Sequence, residues 1–151
     1  MWVDCKKICL KSSLLLFLLC ATNCGKEHIQ RNPYLSTVNF QIEINTNLPQ
    51  YDGLRFAGGA LRLPQGGLKG VIVFNVNGSQ YLAWEASCPN HIPKSCSRLE
   101  LKGVIGQCSC EDYRYSLATG QLINNDTGLS TPYPLLNYRI EHYGNTLRIS
   151  N

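Results

Sequence analysis

Five residues that could bind a metal or form disulfides lie close together in the second half of the chain. Cys88, His91 and Cys96 fall in the run C-P-N-H-I-P-K-S-C, and Cys108 and Cys110 begin the run C-S-C-E-D-Y. Thiolates and imidazoles are the donors that zinc and iron use in proteins, whereas paired cysteines in an exported domain also form disulfides. The spacing therefore predicts two short loops that hold either a metal centre or disulfides.

The start of the chain has the form of an export leader. A basic stretch with three lysines precedes the apolar run 14–19, which is much shorter than the roughly 20 apolar residues of a membrane span. The segment A-T-N-C-G-K then places Cys24 where cleavage would fall. It resembles a bacterial lipobox, which implies a lipoprotein signal peptide over residues 1–23 and acylation of Cys24.

This leader sets expectations for location and partners. Acyl chains on Cys24 would anchor the protein in the lipid bilayer of a bacterial cell envelope. Gly25 in the position after it is compatible with sorting to the outer membrane. Removing the leader takes away three lysines and Asp4, which lowers the net charge from +4 to +2. So small a charge, with no basic run that contains interleaved aromatic residues, indicates no nucleic-acid partner.

The mature chain divides into a polar tether, residues 24–37, and a domain, residues 38–151. Apolar and polar residues alternate over 38–45, which is typical of a half-buried strand. No window shows a convincing helical period, and many short apolar runs are separated by glycine, asparagine and proline. The pattern predicts an all-β fold, a small antiparallel sandwich or barrel.

Two predicted hairpins deliver the cysteine loops. Residues 71–76 and 80–85 flank Asn77-Gly78, a pair that favours a tight type I′ turn, and the second arm runs into Cys88. Residues 98–105 form another hairpin, whose outgoing arm leads to Cys108. Two loops at the ends of hairpins can face each other across a small site.

These loops resemble those of Rieske-type iron–sulfur domains, whose first loop reads C-x-H-x-G-C and whose second reads C-x-C-H before an aromatic residue and a T-G turn. Here Cys108-Ser109-Cys110 matches the second loop, and the runs 115–121, 132–138 and 144–149 resemble the segments that follow it. The resemblance covers about residues 71–149. It implies a Rieske-like β domain and a candidate [2Fe–2S] cluster.

Carried over residue by residue, the resemblance makes Cys88 and Cys108 the cysteine ligands, and Cys96 and Cys110 a disulfide. His91 lies three residues after Cys88, whereas the first histidine of the family lies two residues after its cysteine. Glu111 occupies the position of the family's second histidine. A carboxylate is an anionic, harder ligand than imidazole and would lower the reduction potential.

Three interpretations follow for the same residues. In the first, Cys88–Cys108 and Cys96–Cys110 are both disulfides, and the domain keeps the fold without the cluster. In the second, a cluster binds to Cys88, His91, Cys108 and an unusual fourth ligand, Glu111 or water. In the third, Cys88, His91, Cys108 and Cys110 bind zinc, although an oxidising envelope disfavours three free thiolates.

The sequence contains no hydrolase, phosphate-binding or metalloprotease motif, so the protein is an electron carrier at most. The missing histidine favours the first interpretation, a disulfide-clasped binding or structural module that meets another envelope protein. The alternative is a [2Fe–2S] electron-transfer protein that uses Cys88, His91, Cys108 and a non-histidine fourth ligand.

Overall fold

The structure, a computed structural model, describes residues 31–124 and 128–151. The predicted signal peptide and Cys24 lie outside the described residues. Asn32–Asn151 forms one unit of the chain and Met1–Arg31 another. Within the described ranges, no helix is long and apolar enough to cross a membrane.

The unit Asn32–Asn151 is built from short antiparallel strands, which confirms the predicted all-β fold class. The described residues contain nine strands: β1 (Gln41–Asn45), β2 (Ala60–Leu63), β3 (Val71–Asn75), β4 (Tyr81–Glu85), β5 (Glu100–Lys102), β6 (Ile105–Gln107), β7 (Arg114–Ser116), β8 (Asn137–Tyr143) and β9 (Thr146–Ser150). They also contain two short 3-10 helices, Pro49–Leu54 and Ser95–Ser97.

The strands form two sheets. Six of them make a large sheet in the order β1-β9-β8-β4-β3-β2, and three make a small sheet in the order β5-β6-β7. The two predicted hairpins are present as β3–β4 and β5–β6, and β8–β9 forms a third. Each cysteine loop therefore begins at the end of a strand that a hairpin partner holds in place.

Strand β3 separates two apolar cores, which explains why its sequence is apolar almost without interruption. Val71 and Val73 pack in one core with residues from each of the other five strands of the large sheet. Ile72 and Phe74 pack on the opposite face, with Trp84 and the side chains of the small sheet. Successive side chains of a strand point to opposite faces, so a strand buried on both faces shows no alternation.

The turn between β3 and β4 differs from the predicted type I′ turn. That turn needs positive φ at both central residues, but Asp112 is the one non-glycine residue with positive φ in the described ranges. The Val76 N–H instead donates to the Gln80 carbonyl, and the Asn77 side chain accepts from the Gln80 N–H. The Asn77 side chain thus stabilises a wider turn, in which Gly78 alone has positive φ.

The described part of the expected tether, residues 32–37, is packed on the domain. The Asn32 side chain donates to the Pro89 carbonyl at 2.8 Å and accepts from the backbone N–H groups of Tyr34 and Leu35. Leu35 is 7% exposed. An asparagine that caps its own following residues in this way makes a local turn, which periodicity cannot reveal. The packed residues Asn32 and Leu35 thus belong to the unit Asn32–Asn151.

Candidate metal centre

The two cysteine loops are held at their bases by backbone hydrogen bonds. In the loop between β4 and β5, the Cys88 N–H donates to the Ser97 carbonyl at 2.8 Å. In the loop between β6 and β7, the Cys108 N–H donates to the Tyr113 carbonyl at 2.8 Å. Both cysteines are fully buried in the core between the two sheets. The positions of their sulfur atoms are therefore determined by the packed bases of the loops and not by the loop tips.

A disulfide between Cys96 and Cys110 joins the two loops, with 5.3 Å between the Cα atoms. This is one of the two pairings set out from the sequence. Cys88 and Cys108, the other pair, carry free thiols. The zinc set with three cysteines is not formed, because the Cys110 sulfur is bonded to Cys96 and cannot be a thiolate ligand.

Four potential donor groups converge between the loops. Cys88, His91, Cys108 and Glu111 each place one sulfur, nitrogen or oxygen atom within 4.8 Å of the other three. His91 Nε2 lies 3.3 Å from Cys108 Sγ and 2.9 Å from Glu111 Oε2. Cys108 Sγ lies 3.6 Å from Glu111 Oε2. The structure thus brings together the four residues that the sequence nominated as a ligand set.

His91 presents the nitrogen that a metal would need. Its Nδ1 lies 2.9 Å from the Ile92 carbonyl oxygen, which can only accept a hydrogen bond. Nδ1 therefore donates to that carbonyl. Nε2, which faces Glu111 Oε2 at 2.9 Å, is then the nitrogen that would bind a metal in the absence of its proton. The side chain is 11% exposed, against 30% for Glu111. The thiols thus form the buried side of the group, and Glu111 forms the side nearest to solvent.

Hydrogen bonding changes the proton affinities of these groups. The hydrogen bond with Cys108 lowers the pKa of Cys88, burial opposes this, and the Tyr115 hydroxyl lowers it further. The pKa of Cys108 is raised by the same Cys88 contact and by burial. Burial would lower the pKa of His91, but its bonds to Cys108 and to the Ile92 carbonyl raise it overall. The contact between the two thiols therefore lowers the pKa of Cys88 and raises the pKa of Cys108.

A fully buried tyrosine contacts the sulfur of Cys88. The Tyr115 hydroxyl lies 3.4 Å from Cys88 Sγ and accepts a hydrogen bond from the Asn90 side chain at 2.9 Å. Tyr115 entered the sequence-based prediction only through the resemblance, and Asn90 was not singled out. The available signal was that two residues, Pro89 and Asn90, separate Cys88 from His91, where the family has one.

The second carboxylate of this loop, that of Asp112, bonds to side chains outside the donor group. The Asp112 side chain accepts hydrogen bonds from Gln107 and Arg114, and its backbone has a φ of 56°. Asp and Asn tolerate this left-handed conformation better than most residues. Asp112 thus shapes the turn after Glu111 and is not one of the converging donors.

No protein-family model matches the chain, and no curated protein matches it either. Among solved structures, the chain is similar to one from a complex of reduced oxygenase and oxidized ferredoxin in carbazole 1,9a-dioxygenase. The TM-score is 0.48 at 19% identity, over 73% of this chain and 92% of that one. It is also similar to a Sphingomonas yanoikuyae B1 ferredoxin, with a TM-score of 0.43 at 18% identity, over 63% and 87% of the two chains. Both likenesses concern the fold alone.

Proposed function

We propose that this protein is an electron carrier that holds a [2Fe–2S] cluster between its two loops, with Cys88, Cys108, His91 and Glu111 as ligands. One observation carries the proposal: two buried free thiols, an imidazole and a carboxylate from separate loops lie within 4.8 Å of one another. Two neighbouring cysteines in the same loops form a disulfide instead. The structure gives no support to the interpretation in which both pairs are disulfides.

The chemistry of the donor set fits such a cluster. Thiolates are the usual ligands of iron–sulfur clusters, and a neutral imidazole replaces them in Rieske-type centres. Cys88 and Cys108 lie in the apolar core, whereas His91 and Glu111 reach solvent. When bound, the cluster would accept and release one electron. Glu111 adds a negative charge that an imidazole would not, so the centre is expected to have a lower potential than one with two histidines.

The residues of the chain would perform the remaining tasks. The backbone bonds at Cys88 and Cys108 fix the thiolates, and the Cys96–Cys110 disulfide holds the loops together. The Ile92 carbonyl fixes the orientation and tautomer of His91. Ile92 itself is 70% exposed beside this ligand, so a protein partner that docks there would approach the centre closely.

A single tetrahedral ion is the second candidate, because three of the donors lie about as close together as the ligands of one ion would. Bonds of about 2.0–2.3 Å to nitrogen, oxygen and sulfur place tetrahedral ligands roughly 3.3–3.8 Å apart. The distances between His91, Cys108 and Glu111 are 2.9, 3.3 and 3.6 Å. A two-iron cluster is longer, so His91 and Glu111 would have to turn outward from Cys108 to accommodate it.

We also propose that acylation of Cys24 attaches the protein to the bacterial cell envelope, at the outer membrane. The support is the leader sequence and the presence of Gly25 at the position after Cys24.

The test is a count of iron, zinc and acid-labile sulfide in protein purified without oxygen. Two irons and two sulfides per chain are expected. One metal ion per chain without sulfide would refute the cluster and support the single tetrahedral ion. The variant His91→Ala should lose metal. The matched control His142→Ala removes an exposed histidine of β8 that binds the Ser79 carbonyl, and it should retain metal. Wild-type protein with neither metal nor sulfide would refute both candidates.

A further inference from the structure

Asn90 is a buried polar residue beside the centre to which the proposed function assigns no role. Its side chain is 7% exposed and makes three hydrogen bonds of 2.7–2.9 Å. Two of them join it to the backbone of Tyr133, on the segment before β8, and the third joins it to the Tyr115 hydroxyl. A buried amide with this many partners is costly to place unless each bond is made.

The backbone of Tyr133 fixes which way the Asn90 amide points. The Tyr133 N–H donates to Asn90 Oδ1 at 2.7 Å, and Asn90 Nδ2 donates to the Tyr133 carbonyl at 2.8 Å. An N–H group can only donate and a carbonyl can only accept. A flipped amide would therefore place a donor against a donor at one contact and an acceptor against an acceptor at the other. The NH₂ group must therefore face Tyr115.

This orientation decides the direction of the hydrogen bond at the sulfur. The Tyr115 oxygen accepts a hydrogen bond from Asn90 Nδ2 at 2.9 Å, so its own O–H group is left to donate to Cys88 Sγ, 3.4 Å away. A Cys88 thiolate bound to metal has no proton to give and can only accept. The three groups form a chain in which each bond polarises and strengthens the next.

We propose that Asn90 is a positioning residue that holds the Tyr115 hydroxyl as a donor to Cys88 Sγ and so raises the reduction potential of the centre. This inference rests on the proposed metal centre. A donor to a ligand sulfur withdraws electron density from it and favours the reduced state, which carries one more negative charge. The Asn90 side chain contacts no donor atom, whereas its backbone N–H bonds directly to Cys88 and is retained when the side chain is replaced.

A double-substitution cycle on the midpoint potential tests this role. Asn90→Ala and Tyr115→Phe, each alone, should lower the potential. In the Tyr115→Phe background, Asn90→Ala should cause at most about a third of the shift that it causes alone, because the hydroxyl through which it acts is gone. Equal shifts in the two backgrounds, or no shift with Asn90→Ala alone, would overturn the proposal.

A matched control separates orientation of the hydroxyl from general loosening of the loop. Asn32→Ala removes another asparagine bond to the same loop, at the Pro89 carbonyl, without touching Tyr115. It should shift the potential by the same amount whether or not Tyr115 is replaced. If its shift also vanished with Tyr115→Phe, the cycle would be reporting loop position, and the proposal would fail.

Two further measurements keep the inference distinct from the cluster itself. The same variants loaded with Co²⁺ should show a sulfur-to-cobalt charge-transfer band at lower energy than the wild type, even if the protein holds no iron. A protein without iron whose band shifts in this way would refute the cluster and support the positioning role of Asn90. An unchanged band would refute that role.

If Asn90→Ala does not fold, nuclear magnetic resonance of the wild-type protein loaded with zinc tests the role. Cross-peaks between the Asn90 NH₂ protons and the Tyr115 ring are expected, and their absence contradicts the proposal.

Discussion

The four donor residues of the candidate centre come from two short runs of the chain, and one donor atom of each lies within 4.8 Å of the others. Cys88, His91, Cys108 and Glu111 could be nominated because their types and their positions in two short runs are visible without a structure. The state of the thiols could not be read in this way, since pairing depends on how the loops approach each other. Asn90 and Tyr115 were missed as a pair because their importance lies in the direction of one hydrogen bond, which the Tyr133 backbone determines.

At the residue scale, the identity of the fourth ligand should set the potential. Glu111→His replaces an anionic ligand with a neutral one, so the midpoint potential should rise by roughly 100 mV or more with iron retained. Protein-film voltammetry would measure it. The matched control Asp112→Asn removes the adjacent charge, tolerates the left-handed backbone and leaves all four donors untouched, so its potential should change little. An unchanged potential in Glu111→His, or an equal rise in the control, would contradict ligation by Glu111.

At the scale of elements, the strands were predicted with good accuracy and their connections less well. Alternation and turn residues identified the hairpins, because these signals are local. The turn at Asn77 and the packed start at Asn32 depend on side chain to backbone bonds, which have no periodic signature. The anchoring of the loop between β2 and β3 was also hidden, since it relies on Glu85, a charged residue at the end of an apolar strand.

Glu85 should be a major contributor to stability. It is fully buried and accepts four hydrogen bonds, from the backbone N–H groups of Leu68, Lys69 and Ser87 and from the Tyr138 hydroxyl. In Glu85→Gln, the NH₂ group faces at least one of these N–H donors, so the free energy of unfolding should fall by about 3 kcal/mol. Urea denaturation would measure it. The control Glu100→Gln, on an exposed position of β5, should cost less than about 0.5 kcal/mol, and equal losses would refute the account of Glu85.

The disulfide between the loops should support both the fold and the metal. Cys96 and Cys110 are 14 residues apart, so replacing both with alanine should cost about 3 kcal/mol of unfolding free energy. Metal affinity should fall with it, because the loops that carry the donors lose their covalent link. Competition with a colourimetric chelator would measure the affinity. An unchanged affinity would mean that the backbone bonds at Cys88 and Cys108 suffice to hold the site.

At the scale of the whole molecule, the architecture places the donors at the ends of two hairpins whose sheets share one core. Strand β3 belongs to the large sheet. One of its faces packs into one apolar core, and its other face packs into the core that contains Cys88 and Cys108. The sequence indicated the fold class but not this division, because a continuous apolar run does not say which residues face which core.

The leader makes a separate prediction. Cys24→Ala should release the protein from the membrane fraction and abolish incorporation of labelled fatty acid, because the acylated side chain is gone. The control Cys20→Ala changes a nearby cysteine within the predicted signal peptide and should leave both unchanged. Cell fractionation with fatty-acid labelling would test this, and persistent membrane association of Cys24→Ala would refute lipid anchoring at that residue.

The most direct test of the central claim is an electron paramagnetic resonance spectrum of the anaerobically purified protein after reduction by dithionite. The account predicts a spin-½ signal from a two-iron centre, close to one spin per chain, that disappears in Cys88→Ser and Cys108→Ser. A protein that stays colourless and gives no signal, with two free thiols per chain and no iron, would contradict it.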